Sequence, residues 1–115
     1  MLQKRVDRRS AERAACALIF SALGDETRLR LVSTLADGQA RSIAALTEGA
    51  NLTRQAVTKH LRMLESAGVV SSTRSGRESR FRLAPECIVQ AQSYLGLVSA
   101  EWDAALGRLK AFVER

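Results

Sequence analysis

Apolar residues recur at helical spacing between Ala14 and Leu23, where Ala15, Leu18, Ile19 and Ala22 share one face, and Gly24 then supplies a stop. A second helix is predicted over 26–36. Asp25 stands where an N-cap is needed, Glu26 suits the positive end of the helix dipole, and Leu29, Val32, Leu35 and Ala36 form the inward face before Gly38. Ser42 can cap a short third helix through Glu48, closed by Gly49. Thr53 can cap a fourth, in which Val57, Leu61 and Leu64 follow i, i+4, i+7 toward the core. Arg54, Gln55, Thr58, Lys59 and Arg62 are left on the opposite face, and Gly68 closes the helix.

The period then changes. Val69 to Thr73 is rich in β-branched residues, and Ser79 to Leu83 alternates Phe81 and Leu83 with Arg80 and Arg82, so two strands are predicted around a basic loop over 74–78. Pro85 suits the first turn of a last helix. Along it, Ile88, Leu95, Trp102 and Leu109 are seven apart, as are Ala91, Val98, Ala105 and Phe112. Over residues 85–112 the helix would extend about 42 Å at 1.5 Å per residue, too long for one small domain to cover its heptad seam, so a second copy is expected there. The predicted fold is mainly α with a small β-hairpin: a winged helix-turn-helix with a long C-terminal dimerisation helix. It occupies residues 1–115 as one domain, with a core over 14–84 and the dimerisation helix over 85–115.

Charge sharpens this picture. The net charge is +6, but residues 53–83 alone carry seven basic and two acidic side chains, whereas 84–115 carry three and four. Concentrating the excess on one helix and the hairpin after it fits a polyanionic partner such as duplex DNA. On the helix, Gln55 can pair with adenine, Arg54 or Lys59 with guanine, and Thr53 and Thr58 can reach phosphates or a thymine methyl. His60 lies beside the apolar stripe, where it can pack or bond a phosphate. Arg62, Arg74, Arg77, Arg80 and Arg82 suit positioning on phosphates more than reading sequence. Lys4, Arg5, Arg8, Arg9 and Arg13 form either a basic arm near DNA or a frayed end.

Other chemistries find little to work with. Cys16 and Cys87 are too few and too far apart for a disulfide framework or a zinc site and read as buried small hydrophobes, and His60 is the sole histidine. No nucleophile with a paired base, carboxylate cluster or phosphate loop can be assembled, so no enzyme activity, cofactor or metal is expected. No apolar run approaches the ~20 residues of a membrane span, and the basic start is not followed by a signal-like segment, so a cytoplasmic location without membrane association is expected. The competing reading is a winged-helix module that binds RNA or another protein, since a fold does not fix a function.

Three segments, FSALGDETRLRL from Phe20, LTRQAVTKHLRMLESAGVV from Leu52 and RSGRESRFRL from Arg74, together resemble the ArsR family of bacterial regulators over about residues 14–85. The resemblance implies a winged-helix homodimer held by its first and last helices, with Leu18, Ile88, Leu95, Val98, Trp102, Leu109 and Phe112 at the interface. It further implies a repressor that occupies an inverted-repeat operator until an effector weakens binding. Metal-sensing members carry a cysteine pair in the third helix, at positions matching Ser42 and Ala44, or use histidines and carboxylates of the last helix. That helix here has Glu86, Glu101, Asp103 and Glu114 but no histidine. The chain is therefore similar to the non-metal branch, whose members have a tryptophan in the last helix, as Trp102 is here.

Overall fold

The computed structural model describes the backbone of residues 2–114 and, within it, all side chains except those of Leu2, Arg5 and Val6. The element order is α1 (Leu2–Leu23), α2 (Glu26–Thr34), a single 3-10 turn (Leu35–Asp37), β1 (Arg41–Ser42), α3 (Ile43–Thr47), α4 (Arg54–Ser66), β2 (Val70–Ser75), β3 (Glu78–Leu83) and α5 (Pro85–Val113). This is a winged helix-turn-helix, mainly helical, with an antiparallel sheet in the order β1-β3-β2.

The predicted caps all form. The side chains of Asp25, Ser42 and Thr53 accept the backbone N–H of Arg28, Ala45 and Ala56 at 3.0, 3.1 and 3.1 Å, each satisfying one donor that the first helical turn leaves without a partner. At the other end of α4, Gly68 takes φ +80°. Its N–H reaches the Glu65 carbonyl and that of Val69 reaches Leu64, a Schellman closure that turns the chain directly into β2. Between β2 and β3, Ser75 pairs with Glu78, which leaves a two-residue turn tighter than the predicted five-residue loop. Gly76, at φ +64°, occupies its first central position, the pattern of a type II′ hairpin, and Arg77 is held at the tip.

One core joins the helices to the base of the wing. Ile19, Leu31, Leu35 and Leu46 pack with Val57, Leu61 and Leu64 of α4 and with Val69, Val70 and Phe81 of the hairpin. Phe81 is the largest side chain completely buried. At roughly 3–5 kcal/mol for deleting such a ring, it fixes how the wing seats on the helices. Cys16 and Cys87 are both buried free thiols. They serve as the small hydrophobes expected, and burial pushes the Cys87 thiol above its ordinary range.

Two elements differ from expectation. The first helix starts at Leu2 instead of Ala14, so the basic N-terminal stretch continues the helix. Arg5 lies outside the described side chains. The extension runs antiparallel along α5: Phe20 lies against Tyr94 with ring centroids 6.1 Å apart, and Arg9, Glu12 and Arg13 surround Leu97, Val98 and Glu101. The second difference is β1, two residues long, which pairs Arg41 with Phe81 and Ser42 with Arg80.

The helical pair α1–α5 makes the molecule elongated. Its extents are 65 × 37 × 21 Å and its radius of gyration is 18.6 Å, against about 13 Å for a compact domain of this length. Along α5 the apolar face divides. Cys87 and Ala91 are buried and Tyr94 and Val98 half-buried toward the chain's own α1, whereas Ile88, Leu95, Trp102, Leu106 and Leu109 form an adjacent exposed stripe. Val98, expected at an intermolecular seam, is half-buried and lines a cavity with Arg9, Glu12 and Arg13 of α1. Trp102 is 65% and Phe112 71% exposed, and it is their continuity with the rest of the stripe that marks an interaction surface.

Candidate nucleic-acid interface

The capped start of α4 sets the interface. Because Val57, Leu61 and Leu64 are fixed in the core, helical periodicity aims Gln55 and Lys59, one turn apart, directly outward. Both are exposed, as are Thr53 and Arg54 at the helix start. The Thr53 hydroxyl accepts from Ala56 and keeps its proton for an external acceptor. The Thr58 hydroxyl donates to the Arg54 carbonyl at 2.7 Å, so it can only accept and otherwise presents its methyl.

His60 does not share this face. Its Nδ1 lies 3.3 Å from Arg28 Nη1 and 3.9 Å from Asp25 Oδ2, turned toward the start of α2. Arg28 is the centre of that junction. Its Nε donates to the Ala22 carbonyl at 2.6 Å, closing the end of α1, while its guanidinium spans His60 and the Met63 sulfur on α4. The Asp25 carboxyl is held below its ordinary range, chiefly by the Arg28 N–H it accepts. The junction ties α1, α2 and α4 into one body, a role for Arg28 and His60 that the sequence does not announce because they are 32 positions apart.

The wing arginines also separate. Arg74, at the end of β2, and Arg77, at the turn, are exposed. Among the described residues neither has an ion pair, nor do Lys59 and Arg82. Arg80 reaches Glu78 at 3.6 Å on the exposed hairpin, a contact that water screens to little net energy. Arg62 is engaged more firmly: its Nη1 is 2.8 Å from Glu65 Oε1, and its guanidinium lies over the buried Phe81 ring, 5.3 Å from the centroid. The surface that remains free to meet a polyanion is therefore Thr53, Arg54, Gln55 and Lys59 on the helix, with Arg74, Arg77, Arg80 and Arg82 on the wing.

The positions that match a family metal site have other uses. Ser42 caps α3, Ala44 has no donor atom, and no group of three or more His, Cys, Asp or Glu side chains converges among the described residues. No described helix is long and apolar enough to cross a membrane.

Residues 23–73 match a family model described as a helix-turn-helix domain. The chain is 40% identical over 65 residues to YuzN of Bacillus subtilis, an HTH-type transcriptional regulator, covering 51% of this chain and 71% of that protein. It is 31% identical over 88 residues to the arsenic resistance transcriptional regulator ArsR1 of Pseudomonas putida, covering 74% and 69%. The chain belongs to the ArsR family of transcriptional regulators. Solved structures of the family agree with the fold: an ArsR-like regulator from Rhodococcus superposes with a TM-score of 0.75 at 35% identity, over 87% of this chain and 93% of the other. The homodimeric winged helix-turn-helix DNA-binding domain of a possible ArsR-family regulator from Mycobacterium bovis gives 0.65 at 26% identity, over 83% and 87%. As an ArsR-family protein the chain is a DNA-binding transcriptional regulator, and α4 with the β2–β3 hairpin is its helix-and-wing surface.

Proposed function

We propose that the protein is a homodimeric repressor that reads an inverted-repeat operator, one α4 per half-site, and answers to a non-metal effector. The observation that carries the reading is the pairing of an exposed Gln55–Lys59 face on a capped, core-anchored helix with the uncompensated Arg74 and Arg77 of a rigid hairpin. Side chains at the start of such a helix can meet base edges in the major groove, while arginines at a hairpin tip reach the flanking backbone.

Dimerisation is supported by the exposed stripe of Ile88, Leu95, Trp102 and Leu109, joined by Phe112 near the end of α5 and Leu18 on α1. A two-fold axis through that seam would set half-site centres about one helical turn, roughly 34 Å, apart. A non-metal effector is supported by the donor-poor third helix and by a last helix without histidine. The relative ArsR1 is named for arsenic resistance, so arsenite belongs in the test beside zinc and cadmium.

The experiment is a titration of a duplex selected by the protein from a random pool, beside a scrambled duplex, at several salt concentrations. Gln55→Ala should lose about 1–3 kcal/mol of discrimination at particular base pairs. Arg77→Ala should weaken both duplexes alike and flatten the salt dependence by about one unit of slope per half-site. Equal losses on both duplexes for Gln55→Ala would overturn the assignment of α4 as reader. Release of the selected duplex by zinc, cadmium or arsenite in a variant lacking both cysteines would overturn the non-metal assignment.

A further inference from the structure

Between the basic helix and the basic wing, Glu65 stands where charge alone disfavours an acidic side chain. Glu65, in the last turn of α4, is half-buried between that helix and the wing. Its two carboxylate oxygens serve different elements: Oε1 accepts from Arg62 Nη1 at 2.8 Å on its own helix, and Oε2 accepts the Ser72 hydroxyl of β2. Ser72 is paired across the hairpin with Phe81, the residue whose ring lies under the Arg62 guanidinium. The contacts close a loop: carboxylate to guanidinium, guanidinium to ring, ring strand to serine strand, serine back to carboxylate.

The position of this loop gives it leverage. The hairpin is buried at its base through Val70 and Phe81, and every residue from Thr73 to Glu78 is exposed. Ser72 is the last residue of β2 before the free part of the wing, and its bond to Glu65 is the outermost side-chain tie from β2 to α4 among the described residues. We infer that Glu65, Arg62 and Ser72 form a clamp that sets the angle of the wing against the recognition helix, making Glu65 a positioning residue for DNA binding and Arg62 part of that clamp instead of a phosphate anchor. This rests on the reading of α4 and the wing as two parts of one DNA surface. A duplex presents its groove and its flanking phosphates at a fixed spacing, so α4 and Arg77 contribute together only if their relative orientation is set before binding.

The clamp and plain electrostatics predict opposite signs. Removing an acidic group from a DNA-binding surface should tighten binding if only long-range charge matters. Removing the clamp should weaken it. The test uses full-length protein and a duplex that the wild type selects from a random pool, with melting temperatures to confirm that each variant is folded. Glu65→Ala is expected to bind about five- to tenfold more weakly. Ser72→Ala, which changes no charge and deletes a single hydroxyl, should weaken binding in the same direction. Arg77→Ala should cost several-fold in the wild type but almost nothing more in the Glu65→Ala background, because a displaced wing no longer delivers that arginine. In the Glu65→Ala background, where the clamp is already open, Arg62→Met should leave the salt slope unchanged. Tighter binding by Glu65→Ala, or fully additive losses with Arg77→Ala, would overturn the clamp while leaving the DNA reading intact. A further flattening of the slope by Arg62→Met would return Arg62 to the phosphate anchors and overturn its place in the clamp. Failure of the wild type to enrich any sequence would instead remove the sequence-reading function, and the positioning role with it.

Discussion

The winged body and the helical arm of this protein satisfy their apolar surfaces by different means. In the body, Leu35, Val57, Leu61, Leu64, Val69 and Phe81 are completely buried by residues of the same chain. In the arm, α5 buries Cys87 and Ala91 against α1 but leaves Leu95, Trp102, Leu106, Leu109 and Phe112 exposed. Stability of the body is thus a property of one chain. In the dimer proposed above, the arm would complete its burial through a partner, and its stability would then depend on protein concentration.

The sharpest test of that contrast compares one ring in each region. Phe81→Ala should cost about 3–5 kcal/mol in denaturant unfolding, from lost burial and the cavity left behind. The loss should be the same at low and high protein concentration. Trp102→Ala should cost about 2–4 kcal/mol, the range of an aromatic residue central to an interface, and should appear as weakened association in sedimentation and a concentration-dependent melting temperature. If Trp102→Ala left association unchanged while lowering stability at every concentration, the exposed stripe would not be a dimer seam.

The smallest expected effect lies in the body, at the turn before β1. Arg41 grips Asp37 with two hydrogen bonds, at 2.9 and 2.6 Å. Together with the Gln39 N–H, that guanidinium holds the Asp37 carboxyl down at about 2, below its ordinary 3.8. A depressed carboxylate contributes stability that is fully present above the unfolded value and is lost as pH falls through the folded one. Melting temperatures of wild type and Asp37→Asn should therefore converge between about pH 4 and pH 2. Both groups are partly exposed, so the difference above pH 4 should be small and should shrink with added salt. A gap that stayed constant through that window would separate the role of Asp37 from its charge.

What the sequence reveals follows the same division. Local chemistry is legible: the caps at Asp25, Ser42 and Thr53, the left-handed glycine at Gly68, and the alternation that turns Phe81 inward all depend on residues within a few positions of one another. The first half of α1 is not legible, because residues 2–13 mix charges of both signs without an apolar stripe. Its described side chains are all exposed, and among them a Gln3–Asp7 contact at 3.3 Å links successive turns of the helix. A two-residue strand such as β1 has no periodicity to detect and exists through its pairing with β3. On α4, periodicity finds the outward face, with Arg54, Gln55, Lys59 and Arg62 exposed. Sequence position does not reveal the contacts these residues make: Arg28 and Asp25 engage His60 across long separations, and Arg62 pairs with Glu65 one turn away while lying over Phe81 of the wing.

The junction between wing and arm is unusually short. Ala84 alone separates β3 from α5, its N–H is bonded to the Val69 carbonyl at 2.9 Å, and the Cys87 thiol lies 3.7 Å from the same oxygen. With a single residue at this junction, the direction of α5 is coupled to the seating of β3. For a helix of this length, about 43 Å, a tilt of about 5° at one end sweeps the other by nearly 4 Å, more than a hydrogen bond can stretch. Arg77 lies only seven residues from Ala84, roughly 23 Å along β3, so the same tilt passed to the hairpin would move it by about 2 Å; a large excursion at the end of the arm reaches the wing as a small rotation at this junction.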